Sequence, residues 1–308
     1  MMCNAMNHNT VFRTARSSRS PRLCAFALAH LALLLPLGVS ADTYGDYTYT
    51  VSDGGATITK YNGSGGAVAI PSTFGSHPVT AIGNYAFSEH TLITSVTIPD
   101  SVTNICDWAF LLCSSLATVT IGNSVTNIGG YAFAECPSLT AMTIPNSVSD
   151  IGTHAFAECP SLTAVTIGNS VTNIGGYAFA DCPSLTNILF TGDAPALGYS
   201  AFHNNNPATF YYLPGIGDWP SWFGGRPTVC WNPAFSSASP ASGAFAVTLT
   251  GNPSAALPVR IEASDSLSSP SWLPLSGTTT IPAGGTLNFT DPDASPPPAR
   301  FYRITFPR

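Results

Sequence analysis

The sequence predicts a mainly β solenoid of 23-residue coils with short helical turns, followed by a small all-β, sandwich-like module. Three observations carry this reading. Phe87, Phe110, Phe133, Phe156, Phe179 and Phe202 recur every 23 residues, a fixed self-similarity that marks a repeat architecture. Two further apolar series keep the period: Ile82, Ile105, Ile128, Ile151, Ile174 and Leu197, then Val79, Val102, Val125, Val148 and Val171. Beyond about residue 232 the period is gone, and short alternating stretches separated by Pro and Gly take its place.

The chain opens with Arg13, Arg16, Arg19 and Arg22 and no acid, followed by the apolar run Leu23 to Leu37. Residues 1–41 read as a secretory signal peptide, with the small residues Val39 and Ala41 placed for cleavage before Asp42. The apolar run falls short of the roughly 20 residues a helix needs to span a bilayer. A secreted or cell-surface location with no membrane span after cleavage is therefore expected. The chain of 308 residues carries 10 Lys and Arg against 16 Asp and Glu. Four of those cations lie in the leader, so the remainder holds six against sixteen, a net charge of −10 with His neutral. Between Tyr61 and Gly225 there is no Lys or Arg, which excludes nucleic acid as a partner of that region and disfavours an anionic membrane surface.

Residues 42–77 are expected to cap the stack, with Tyr47 to Val51 and Ala56 to Tyr61 forming a hairpin around Ser52-Asp53-Gly54-Gly55. The solenoid is placed at residues 78–207. In one unit, Leu139, Met142 and Ile144 face inward on a strand, Pro145-Asn146-Ser147 turns the chain, and Val148 and Ile151 form a second inward pair. Ala155 and Phe156 then lie on a short helical turn before Cys159-Pro160-Ser161 leads to the next strand. One such coil cannot cover its own apolar face, so coils stack at roughly 4.8 Å per strand. Residues 208–231 form a Trp-rich lid from Trp219, Trp222, Phe223 and Trp231, residues 232–243 a linker, and residues 244–308 the C-terminal module.

The strand spacing L-x-x-φ-x-φ, and the recurring segments Ile121 to Leu139, Ile144 to Leu162 and Ile167 to Leu185, resemble the BspA-type (Treponema-type) leucine-rich-repeat family. The likeness covers about Tyr44 to Trp231. It implies a leucine-rich-repeat solenoid and a surface-exposed or secreted protein whose role is adhesion to proteins, matrix or cells, with no catalytic residues to carry over. The segment Arg300-Phe301-Tyr302-Arg303 resembles a motif that closes C-terminal modules of many secreted bacterial proteins.

Four columns of side chains are the places where chemistry could sit. Cys113, Cys136, Cys159 and Cys182 repeat once per coil, with His90 in the equivalent place of an earlier one. They read as buried free thiols, with one or two disulfides or a metal site as alternatives. On the outer strand face stand Thr97, Thr120, Thr143 and Thr166, then Leu189, a flat surface for a carbohydrate or other regular array or simply residues suited to strands. Tyr85, Trp108, Tyr131, His154 and Tyr177 each lie two residues before the ladder Phe and place a ring at every coil edge, for packing between coils or for gripping a partner. Glu135, Glu158 and Asp181 form a solvated acidic edge or a calcium site. No paired Ser, His and Asp, or Cys and His, motif is evident, so an enzyme is not expected; nor is a cofactor or metal. The expected activity is non-catalytic binding of a protein or glycan.

Overall fold

The computed structural model describes residues 41–205, 208–231, 233–239, 244–249, 257–266, 268, 271–275, 279–281, 286–290 and 301–305. The expected leader, apart from Ala41, lies outside the described residues. Strands Asp42–Tyr44, Tyr47–Ser52 and Gly55–Tyr61 form an antiparallel meander. Between the last two, Asp53 and Gly54 adopt φ of 53° and 80°, the paired left-handed conformation of a tight two-residue hairpin. Gly55–Tyr61 then pairs in parallel with His77–Ile82, while Gly66–Ala69 pairs in parallel with Ile93–Thr97. The coil stack thus begins within the segment assigned to the cap, some twenty residues before position 78, because one strand can pair antiparallel on one edge and parallel on the other.

From there parallel pairing runs along two sides of the solenoid, in one unbroken ladder and one interrupted ladder. One continues through the two-residue rungs Asn104–Ile105, Asn127–Ile128, Asp150–Ile151, Asn173–Ile174 and Ala196–Leu197. The other is interrupted: Thr118–Thr120 closes a sheet with Gly66–Ala69 and Ile93–Thr97, and a second sheet runs from Ala141–Ile144 through Ala164–Ile167, Asn187–Phe190 and Thr209–Tyr212 to Arg226–Cys230. Parallel pairing therefore outlives position 207, but the spacing shortens from 23 residues to 22 between Asn187 and Thr209 and to 18 between Phe210 and Thr228, as the inward pattern of the sequence decays.

On the third side, single turns replace strands and no helix is assigned among the described residues. Each turn has a reach of three residues, as from Ala134 N–H to the Tyr131 carbonyl at 3.2 Å. Coils are joined here by Phe N–H groups that donate to the next coil, Phe87 to Ala109 and Phe110 to Ala132 at 2.8 Å. The six phenylalanines lie in single file, successive ring centroids 4.8 to 5.3 Å apart and interplanar angles no larger than 20°. All six are buried. Burying each ring contributes about 1.5–3 kcal/mol, and each ring pair roughly 0.5–1.5 kcal/mol more.

The end of the stack departs from expectation in three places. Trp219 and Phe223 do close the core over Phe190 and Phe210, but Trp222 is 65% exposed. Trp222 lies on a short hairpin with Pro227, in which neighbouring side chains point to opposite faces, so only Phe223 can face inward. Trp231 is buried instead in a second cluster, with Leu189, Tyr211, Leu213, Val259 and Ile261. That cluster joins the C-terminal module to the strand face. Finally, the stretch 232–243 is not simply a linker. Pro233–Ser239 is a strand paired antiparallel with Ala244–Leu249, and its only proline among the described residues stands at the first position, where it does not interrupt the ladder. Thr286–Thr290 completes that sheet. A second sheet is built on Leu257–Ser264, which pairs with Leu273–Pro274, Thr279–Ile281 and Phe301–Thr305.

Candidate functional site

The aromatic column stands where each coil turns. Tyr85, Trp108, Tyr131, His154 and Tyr177 all have φ between 55° and 59°, a left-handed conformation that costs an L-residue about 1–2 kcal/mol. The backbone recovers part of that cost, since each of their N–H groups is aimed at the next coil: Trp108 at the Gly130 carbonyl, 2.8 Å, and Tyr131 at that of Thr153, 2.9 Å. The same geometry throws the rings to the coil edge and lays them parallel. Centroid separations run 4.9 Å for Tyr85–Trp108, 6.1 Å for Trp108–Tyr131, 4.5 Å for Tyr131–His154 and 5.0 Å for His154–Tyr177, with planes within 15° of parallel. The file ends where Tyr177 meets Tyr199 and His203 edge-on. Both faces of Trp108, Tyr131 and His154 are taken by neighbouring rings. Only the outer face of Tyr85, 54% exposed, is open, and the others offer their rims.

Carboxylates flank these rims. The Tyr131 phenol is pushed above its ordinary pKa by burial and then by Glu158, and that of Tyr85 by burial and then by Asp107. Glu135 is raised by burial and by Glu158, one coil on. His154 is lowered by burial, so its imidazole is neutral at neutral pH, and its Nδ1 is buried without a hydrogen-bond partner. The acidic column is left-handed too, with φ of 54° at Glu135, 56° at Glu158 and 56° at Asp181. Among the described residues no three His, Cys, Asp or Glu side chains converge to hold a metal.

The threonine row faces outward in register, Thr97 opposite Thr120 and Thr143 opposite Thr166. Thr97, Thr120 and Thr143 are exposed and Thr166 is half-buried. Further along, Thr166 pairs with Leu189, Leu189 with Tyr211 and Tyr211 with Val229. There the module covers the sheet, and the row's change from hydroxyl to apolar is the sequence signal for that docking. The aromatic and threonine columns do not meet: one occupies the turn edge, the other the strand face.

The cysteine column is buried inside the stack. All six described cysteines are free, and the repeated thiols donate to the Phe carbonyl of the preceding coil: Cys113 to Phe87, Cys136 to Phe110, Cys159 to Phe133 and Cys182 to Phe156, at 3.1 to 3.3 Å. Burial pushes the Cys113 thiol up to about 12 and raises that of Cys136 as well. The Cys113 and Cys136 thiols therefore stay protonated and are neither nucleophiles nor thiolate ligands. Sequence reading missed why the column exists. Asn205, 23 residues after Cys182, explains it: its amide donates to the Phe179 carbonyl at 2.6 Å, the same bond made by a different group. His90 donates to Gly63 at 2.8 Å at the other end. The Arg260, Glu262 and Arg303 cluster of the module was also missed.

A family model described as the BspA type leucine rich repeat region matches residues 80–209 in six copies. Among solved structures, a leucine rich repeat protein of T. pallidum is 28% identical over 57% of this chain and 87% of its own, with a TM-score of 0.47. One from Bacteroides capillosus is 36% identical, covering 41% of this chain and 96% of its own, with a TM-score of 0.38. A leucine rich cell surface protein of Faecalibacterium prausnitzii is 25% identical, over 57% of this chain and 71% of its own, at a TM-score of 0.36. No curated protein matches the chain. With its 23-residue coils, single file of phenylalanines and six matched repeats, the chain belongs to the BspA-type leucine-rich-repeat family.

Proposed function

We propose that the protein is exported and works at the cell surface or in the medium as a non-catalytic scaffold that binds another protein along its aromatic edge. The observation that carries this is the continuous file of rims from Tyr85 to Tyr177 with carboxylates beside it. Tyr and Trp present both apolar surface and a polar tip, which suits a protein interface. A sugar ring stacks on aromatic faces, and those faces are occupied within the file, so the edge favours protein over glycan. The stack also holds its rings in one arrangement before binding, which reduces the ordering cost of association. The leader-like residues 1–41 support export, as does the cell-surface description of the F. prausnitzii relative.

The test is binding of the purified protein to immobilised extracellular-matrix proteins, compared with a Trp108→Ala/Tyr131→Ala variant whose circular dichroism is unchanged. Binding is expected to fall at least tenfold. Undiminished binding defeats the assignment of the edge, and turnover of any ester, peptide or glycoside by the protein defeats the non-catalytic reading.

A further inference from the structure

Where the C-terminal module docks, it leaves an open cleft of about 940 Å³ against the turns that follow strands Ala141–Ile144, Ala164–Ile167 and Asn187–Phe190, a different corner of the coils from the aromatic edge. The solenoid wall presents Asn146 and Asn169 from successive coils, together with Asp193. The module wall presents Arg260, Glu262 and Arg303 from the paired strands Leu257–Ser264 and Phe301–Thr305. Arg303 is held in place: its Nε and Nη2 both lie 2.7 Å from Glu262 Oε2, and its guanidinium sits 4.5 Å over the Trp272 ring. Leu213, Ile216 and Ile304 add apolar surface. No cation occurs from residue 62 to 225, so the module supplies the positive half of a cleft whose other half can offer only amides, hydroxyls and a carboxylate.

We propose that this cleft binds a neutral oligosaccharide. Two guanidinium groups face two carboxylates, so the cleft has no net charge to attract an ion. A phosphate or sulfate would have to approach Asp193 and Glu262, and a purely apolar ligand would leave the polar walls unpaired. A sugar hydroxyl both donates and accepts, and it needs both kinds of partner close together. Asn amides offer each, Arg donates and the carboxylates accept. Asn146 Oδ1 accepts from the Asn169 N–H at 2.9 Å, while among the described residues the exposed side-chain amide of Asn169 is engaged only by Ser170, at 3.3 Å. Leu213, Ile216 and Ile304 match the C–H faces of a pyranose ring. A junction between two units, with mixed apolar and convergent polar lining, is a common place for such a ligand.

The test is affinity electrophoresis of the purified protein in native gels cast with β-glucan, mannan or xylan, with polygalacturonate and gelatin as anionic and peptide controls. At least one neutral polysaccharide is expected to retard the protein. Arg260→Ala and Asn169→Ala, both at exposed positions, should each weaken that retardation severalfold, and together at least tenfold, with an unchanged melting temperature. The Trp108→Ala/Tyr131→Ala variant should be retarded like the wild type, which separates the cleft from the aromatic edge. The proposal is overturned if no neutral polysaccharide retards the protein, if only polygalacturonate or gelatin does, or if the double cleft variant is retarded in full.

Discussion

Two adjacent glycines should respond very unequally to the same substitution. Gly129 stands where one coil passes close to the one before it. A Cβ there would lie 2.6 Å from Asp107 N, from Asp107 Oδ1 and from the Cys106 carbonyl carbon. Ordinary contacts between heavy atoms are about 3.5–4.0 Å, so the overlap is roughly 1 Å, and two of the three atoms are backbone. That backbone cannot move freely, because the Gly129 N–H donates to the Ile105 carbonyl at 2.8 Å and Ile128 is in register with Ile105. Gly129→Ala should therefore cost about 2–3 kcal/mol, the upper part of the range for overpacking. Gly130 is one residue on, and its Cβ would meet only the Thr153 carbonyl oxygen at 3.2 Å and Asp107 atoms beyond 3.5 Å. Its column carries side chains elsewhere, at Asp107, Thr153 and Tyr199. Gly130→Ala should stay within about 0.5 kcal/mol of wild type, the tight contact offset by the lower entropy of the unfolded chain. At roughly 2–4 °C per kcal/mol for a unit of this size, Gly129→Ala should lower Tm by about 4–12 °C and Gly130→Ala by less than about 2 °C. Urea and thermal unfolding followed by circular dichroism would measure both. Cys106 fills the Gly129 column one coil earlier, so a Cβ can be accommodated where neighbours yield. Equal losses at the two glycines would show that coil spacing adjusts everywhere and would refute the reasoning.

Other perturbations test the edge and the docked module. His154 is held below its ordinary pKa by burial between Tyr131 and Tyr177. The unfolded chain then binds the proton more readily, and stability should fall as pH drops from the unfolded value near 6.5 through the folded one. His154→Tyr should remove that loss, and melting scans from pH 8 to 5 that keep the same slope in both proteins would contradict it. Glu158 combines a left-handed backbone with repulsion of Glu135. Glu158→Gly should be more stable than Glu158→Ala by about 1 kcal/mol in urea titration, since only glycine relieves the backbone. Because the Glu135 carboxyl is raised, it disfavours folding as pH climbs from the usual Glu range through its folded pKa, and both variants should flatten that decline. Leu189→Thr restores the threonine row but removes an apolar contact to the module, worth about 1.5–3 kcal/mol of burial. Limited proteolysis should then cut more rapidly after Trp231, and an unchanged cleavage rate would show that the module is held by other contacts.

The sequence revealed what side-chain identity alone determines. Phe133 repeats because a buried ring must stack on Phe110 and Phe156, so its period is visible without coordinates. What stayed hidden was set by backbone conformation and by the partners of polar groups. Nothing in the residue types Tyr131 or Glu135 announces a positive φ, which aromatic and acidic residues seldom adopt; the need arises from aiming their N–H groups at the neighbouring coil. A turn of helix and the observed turn place Phe156 inward equally well, so hydrophobic pattern cannot tell them apart. The breaks in the repeat were the more informative signals. Asn205 in place of the cysteine reads in the sequence as decay of the corner, yet it donates to the Phe179 carbonyl as Cys182 does to that of Phe156, and so shows that the column is a file of donors. Leu189 in the threonine row reads as one irregular rung, yet it marks where the outer face ceases to meet water and meets the module. In a stack of near-identical coils, a residue that keeps the period reports the packing shared by all coils. A residue that departs from it reports what is particular to its coil, and in this chain both departures stand at the end where the solenoid gives way to the module.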